Sequence, residues 1–302
     1  MKRVLLFMGV NILVMLTLSL VVGVLGLDRG LYAHGLDLPR LLAFCAVFGF
    51  GGALFSLAIS RWTAKVTLGV ELIDPANPGG NAEAFLVEKV RLLSSRVGLT
   101  TLPEIGVYPS PEVNAFATGP TRDRALVAVS AGMLQRMDPQ ALEGVLGHEL
   151  SHVANGDMVT MTLLQGVANT FVMFFARVAA FFIDQALRSR DEEGRRGGLG
   201  PIAHFFLVWA LEAVFYLLAG ILVNAFSRWR EYRADAGAAQ CAGKEKMIHA
   251  LEQLQRASGL VDESHAALAT MKIHGRGAGL LSRLFSTHPA LEARIAALKA
   301  LP

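Results

Sequence analysis

The sequence reads as a mainly α-helical membrane protein with a small β-sheet. Four transmembrane helices accompany one polar α+β domain, which the second membrane hairpin splits in two. Three observations lead there. Of 302 residues, 53% are hydrophobic and only 18% charged, against about 25% charged in an ordinary soluble domain. Four long apolar segments punctuate the chain. The two polar stretches left over carry both helical and strand periodicity. The expected division is an N-terminal transmembrane hairpin over 1–60, a first polar part over 61–157, a second hairpin over 158–226 and a second polar part over 227–302.

The apolar segments come first. Val4 to Leu27 holds 24 residues without a charge, enough for the ~20 that a span needs. Lys2 and Arg3 would also suit a cleaved signal peptide, but the stretch is too long, no A-x-A site follows, and a second apolar run comes soon after. That run, Leu41 to Ser60, completes a hairpin across a loop holding Asp28, Arg29 and Asp37. Met158 to Ile183 is broken only by Arg177, and Ile202 to Phe226 carries Glu212. These two form either a second membrane hairpin or a long helical hairpin packed on a soluble domain. Arg177 and Glu212 stand symmetrically about the charged linker "RSRDEEGRRGG", so antiparallel helices would place them at one depth. Either they pair there, as intramembrane charges usually do, or each faces a wet groove or another helix. Lys2, Arg3, Arg61 and Lys65 put the N-terminus in the cytosol by the positive-inside rule, whereas the four arginines of the linker argue the other way. The formal charge of +3 is small and the basic residues are scattered, so no nucleic-acid partner is indicated. Cys45 in an apolar run and Cys241 in a polar region give no disulfide framework.

In the polar stretches, Phe85, Leu86, Val90, Leu93 and Val97 recur at helical spacing over Asn81 to Val97, closed by Gly98. Short strand-like runs follow at Ile105–Tyr108, Val113–Thr118 and Ala125–Ser130, with a Gly119-Pro120 turn. Asp138-Pro139 reads as an N-cap with proline at the first helical position, and the helix should end at Asn155-Gly156. Asp157 can cap the next helix. Two further helical patterns cover Glu245–Ser258 and Pro289–Leu298.

The helix from Pro139 carries "GHELSHVANGD". His148 and His152, four apart, project from one face, the spacing by which two imidazoles share one Zn²⁺, and Glu149 can reach a metal-bound water. A catalytic zinc takes three protein ligands and keeps an open position. "SRWREYRADAG" supplies Glu231 as the third candidate ligand, and Asp235, one turn on, can hold a ligand imidazole in its metal-binding tautomer. His152 lies six residues before the third apolar segment and Glu231 five residues after the fourth, so a spanning hairpin returns both to one membrane face. The polar domain is therefore expected to be a zincin-like α+β metalloprotease domain with one Zn²⁺.

Taken together, "GHELSHVANGD", "SRWREYRAD", "VNAFATG" and "STHPALEARI", with four apolar segments in this order, resemble the HtpX family. These are bacterial inner-membrane zinc metalloproteases related to CaaX prenyl proteases. The resemblance covers essentially the whole chain. It implies a multi-pass endopeptidase of gluzincin type whose active site faces the cytosol and which cleaves damaged or misassembled membrane proteins under stress. It carries His148, His152 and Glu231 over as ligands and Glu149 as the catalytic residue that assists attack of zinc-bound water. Its partners would be polypeptide substrates, membrane proteins among them, and the lipid bilayer.

A tetrahedral intermediate needs an oxyanion donor. His288 in "STHP" is the candidate, with Arg233 as the other, although His288 also fits a surface histidine ahead of a helix and Arg233 a headgroup contact. Asn114, Ala115 and Phe116 in "VNAFATG" either pair with an extended substrate backbone or form an ordinary internal strand. Two other readings compete: a silent membrane scaffold, which should have lost Glu149 or a ligand, and a prenyl-peptide protease, which should have more spans.

Overall fold

Residues 16–21, 23–24, 26, 36–187, 189–190, 196–260 and 284–301 are described by the structure, a computed structural model. Most of the expected span Val4 to Leu27, part of the linker, and His34, His265 and His274, to which no role was attached, lie outside the described residues. Among the described residues, three helical stretches are long and apolar enough to cross a membrane: Leu38–Leu68 (α1), Asp157–Leu187 (α5) and the 57-residue run Pro201–Ala257, which opens with α6 (Pro201–Ala238). Each continues beyond its apolar segment. Hydropathy marks where apolar side chains stop, whereas backbone hydrogen bonding carries the helix on into polar sequence.

The chain groups into two compact units. One takes the described residues up to Ser56 together with Thr162–Val223. There Leu41 and Cys45 of α1 are fully buried among Phe44, Met173, Phe174 and Val178. Gly49 permits a close helix crossing, since a Cβ there would come within 2.3 Å of Thr170 Oγ1. Arg177 Nη1 lies 2.6 Å from Glu212 Oε1 and also donates to the Met173 carbonyl at 3.1 Å, its guanidinium 5.6 Å from the Phe44 ring centroid. The two charges thus pair between α5 and α6.

The second unit takes Leu57–Met161 and the described residues from Asn224 onward. Its sheet runs in the order β1 (Glu71–Leu72), β2 (Glu104–Tyr108), β4 (Leu126–Ser130), β3 (Ala115–Thr118). β2 and β4 are parallel, from Glu104 opposite Leu126 to Tyr108 opposite Ser130, and the outer pairs are antiparallel. β4 is buried throughout, as a central strand covered on both faces should be. β3 begins two residues later than its apolar run suggests, because Ser130 takes up the preceding backbone. The Asn114 amide donates to Ser130 Oγ at 3.1 Å, and the Asn114 carbonyl accepts from the Ser130 amide at 2.9 Å. The same hydroxyl accepts from the Met133 amide and so caps α3 (Ala131–Arg136). β1, two exposed residues, is too short to leave a period in the sequence.

α4 (Pro139–Asn155) packs on this sheet and on α2 (Asn81–Arg96). Its start is fixed by Asp138, whose Oδ1 accepts from the amides of Gln140 and Ala141 at 3.0 and 2.9 Å. Its end is fixed by Gly156 at φ 69°, a left-handed conformation open to glycine at little cost. Leu142, Val145, Leu146, Leu150 and Val153 are buried in the core. On another side α4 meets α7 (Lys244–Leu260), reached from α6 through a π-turn at Ala239–Gly243. Gly144 makes that approach possible, since a Cβ there would lie 2.6 Å from the Lys246 carbonyl oxygen, and Gly147 admits the π-turn, since a Cβ there would lie 3.0 Å from Ala242 Cβ. The chain closes with α8 (Leu291–Lys299), whose Leu298 packs with Met247, Ile248 and Leu251 of α7.

Two outcomes are expected. Gly144→Ala forces α4 and α7 apart and should lower stability by about 1–3 kcal/mol, read as a fall in thermal midpoint; an unchanged midpoint contradicts this packing. Arg177→Leu and Glu212→Leu should each destabilise, and the double variant by less than their sum, with a coupling of about 0.5–3 kcal/mol. Additive effects in that cycle would show that the pair carries no energy.

Candidate active site and metal centre

α4 sets His148 and His152 one turn apart, and α6 brings Glu231 and Asp235 to them on its buried face. His148 Nε2 lies 3.1 Å from His152 Nε2 and 3.6 Å from Glu231 Oε2, and His152 Nε2 lies 3.3 Å from Glu231 Oε1. One ligand atom from each of the three residues falls within 4.8 Å of the others. Tetrahedral coordination with bonds of ~2.1 Å separates ligand atoms by about 3.4 Å, and the three distances bracket that value. Two neutral imidazoles and a carboxylate therefore fit a divalent metal by chemistry and by spacing.

The outer ring nitrogens are tied down. His148 Nδ1 lies 2.9 Å from Asp235 Oδ1, the position expected for it. His152 Nδ1 lies 2.5 Å from Asp157 Oδ2. Asp157 does open α5, but its carboxylate is committed to His152 and to Arg230, not to capping. Asp235 is gripped by Arg294 of α8, with Nε donating to Oδ2 at 2.8 Å and Nη2 to Oδ1 at 2.6 Å. Arg294 also reaches Glu231 Oε2 through Nη1 at 3.2 Å.

Protonation follows from these contacts. Burial opposes ionisation of Glu231, but hydrogen bonds from His148, His152 and His288 outweigh it and hold the carboxyl well below the usual carboxylate range. Burial likewise opposes the charge on Asp235, and the Arg294 guanidinium with the His148 ring overcomes it and lowers that carboxyl. Burial disfavours the imidazolium of His148, whereas Asp235 and Glu231 favour it and raise its value overall.

Glu149, between the two histidines, is half-buried, and its charge acts on Arg294 and on Tyr108. His288 is largely exposed, with Nδ1 2.8 Å from Glu231 Oε2. The segment before it is held by α6: Asn224 Nδ2 donates to the Phe285 carbonyl at 3.0 Å, and Arg228 Nη1 donates to those of Leu284 and Ser286 at 3.1 and 2.7 Å. Arg233, the other oxyanion candidate, is exposed and lies over the Trp229 ring at 5.2 Å. β3 is an edge strand among the described residues, not an internal one. It contains Ala115 and Phe116, whereas Asn114 lies just before it with its backbone tied to Ser130. The sequence reading missed Arg230 and Arg294 altogether. A basic residue beside a ligand in "SRWRE", and one within the quoted "STHPALEARI", were the only signals available.

Helices long and apolar enough to cross a membrane, a cluster that could hold a metal and the following similarities together define a membrane metallopeptidase. The model of peptidase family M48 matches residues 83–301. A protease HtpX homolog of Bacillus licheniformis is 48% identical over 305 residues, covering 99% of each chain. Protease HtpX of Shewanella pealeana is 48% identical over 301 residues, covering 99% of this chain and all of that one. The solved structure of S. mikatae Ste24p is similar in fold, with a TM-score of 0.62 at 18% identity; the match covers 96% of this chain but 65% of that one. The chain belongs to peptidase family M48 and, by its full-length relatives, to the HtpX proteases.

Removal of candidate ligands should show in metal content. His148→Ala and His152→Ala are expected to fall from about one bound metal per chain to near none by equilibrium dialysis and mass spectrometry. Asp235→Asn should weaken retention by roughly 10–100-fold. Wild-type retention in all three would remove this cluster as the metal centre.

Proposed function

We propose that the protein is a zinc endopeptidase of the bacterial inner membrane, with its active site facing the cytosol, that cleaves damaged or misassembled membrane proteins in stress-related quality control. The single observation that carries the hydrolytic reading is the convergence of His148 Nε2, His152 Nε2 and the Glu231 carboxylate, with both outer imidazole nitrogens held by carboxylates. In this reading four helices span the bilayer. One zincin-like domain is made of 61–157 and 227–302, and the second hairpin, 158–226, is the crossover between its halves. The substrate class rests on the relatives named as HtpX proteases and on the long apolar helices.

His148, His152 and Glu231 would hold the ion, and a His₂Glu set suits Zn²⁺. A zinc ion in such a site lowers the pKa of water towards neutrality and polarises the scissile carbonyl. Glu149 takes a proton onto its carboxylate from the attacking water and returns it to the leaving amine. Its place on α4 between the two candidate ligand histidines, part-exposed, puts that carboxylate within reach of both transfers. His288 donates to the developing oxyanion. Its seat beside Glu231 and its exposure to incoming substrate favour it over Arg233, which is engaged with Trp229. Residues 114–116 line the substrate: β3, at the edge of the sheet among the described residues, offers its outer side to an extended polypeptide, which would add as a further strand.

The role of Glu149 separates metal binding from turnover. Glu149→Ala should keep its metal and lose at least ~10²-fold in casein cleavage, measured on the detergent-solubilised full chain. Wild-type turnover in that variant would contradict the proton-transfer role, and loss of metal would show that Glu149 acts in binding.

A further inference from the structure

Arg230 precedes the candidate ligand Glu231 and is itself one of the few buried arginines among the described residues. Neighbours on a helix point about 100° apart, so the two side chains cannot serve the same partner. Glu231 turns to the imidazoles. Arg230 turns to the first residue of α5: Nη2 pairs with Asp157 Oδ1, and Nη1 donates to the Asp157 carbonyl at 3.1 Å. Its guanidinium carbon lies 5.8 Å from the Phe226 ring centroid, which closes the other side. The other oxygen of that carboxylate, Oδ2, meets His152 Nδ1.

We propose that Arg230 is a positioning residue for metal binding: by gripping Asp157 it holds the His152 ring with Nε2 turned to the metal. The inference rests on the metal-centre reading given above. Geometry supports it from two directions. A lone Asp157 at the first turn of α5 would be drawn to the free amides of its own helix end; a two-point grip on its side chain and its carbonyl holds it instead against His152. The arrangement also repeats, since His148 is held by Asp235 and Asp235 by Arg294. Charge agrees with geometry. Asp157, Asp235 and Glu231 are all buried. These three buried carboxylates carry about −3 between them, and the two guanidinium groups reduce that to about −1, which lowers the cost of burying them.

The test is metal affinity, measured by chelator competition with Zn²⁺ and with Co²⁺, whose visible spectrum reports ligand geometry, on the full chain in detergent. Arg230→Met and Asp157→Asn should each weaken affinity by roughly 10–100-fold and alter the Co²⁺ bands. The double variant should bind within about 2-fold of the weaker single one, because both act through one contact. Arg230→Lys keeps the charge without the two-point grip and should lose about 3–10-fold; it carries the test if Arg230→Met does not fold. Wild-type affinity in Arg230→Lys, or a double variant whose loss is the product of the single losses, overturns the proposal. His148→Ala is the control. Metal retained there would overturn the metal-centre reading and this inference with it, whereas failure at Arg230 alone leaves that reading standing.

Discussion

Two imidazoles one helical turn apart can share a metal only if each ring holds one nitrogen turned inward, and the rest of the candidate site is arranged around that constraint. His148 and His152 present Nε2 to each other and to Glu231, while Nδ1 of each is held by a carboxylate. The two carboxylates come from different helices, Asp235 from α6 and Asp157 from α5. Neither ring can rotate without breaking a buried, charge-assisted contact. Because Asp157 and Asp235 are buried, each needs a compensating cation, and Arg230 and Arg294 supply one apiece.

α6 explains how so many groups meet in so small a volume. Asn224, Arg228, Glu231 and Asp235 recur at spacings of four, three and four residues, which is one stripe of an α-helix. Along that stripe the first two bind the backbone at 284–286, the third faces both imidazoles, and the fourth fixes His148. The far side carries exposed Trp229 and Arg233. A single rigid helix thus sets the register between the segment bearing His288 and the candidate ligands. α4 fixes the partner side through its caps and through Gly144 and Gly147, which admit α7 and the π-turn before it.

Local signals made much of this legible in the sequence. α4 could be read from Asp138, Pro139 and Gly156 because each acts on its own helix end. The histidine pair and the Glu231–Asp235 spacing follow from helical geometry alone. What stayed hidden depends on tertiary contact. Asp157 suits a helix start in any sequence, and only the fold shows that its carboxylate is taken by His152 and Arg230. Arg230 follows an apolar segment and Arg294 lies in a helical pattern, and nothing local to either marks it as buried, yet both are. Exposed β1 and the parallel β2–β4 register leave no periodic trace, and Ser130, by binding Asn114, shortens β3 in a way that propensity cannot signal.

X-ray absorption at the zinc edge of the metal-loaded full-length protein tests the central claim most directly. The account predicts a first shell of nitrogen and oxygen at ~2.0–2.2 Å, with outer-shell scattering from two imidazoles that drops to one in His152→Ala. Sulfur at ~2.3 Å, or an oxygen-only shell without imidazole scattering, would contradict it.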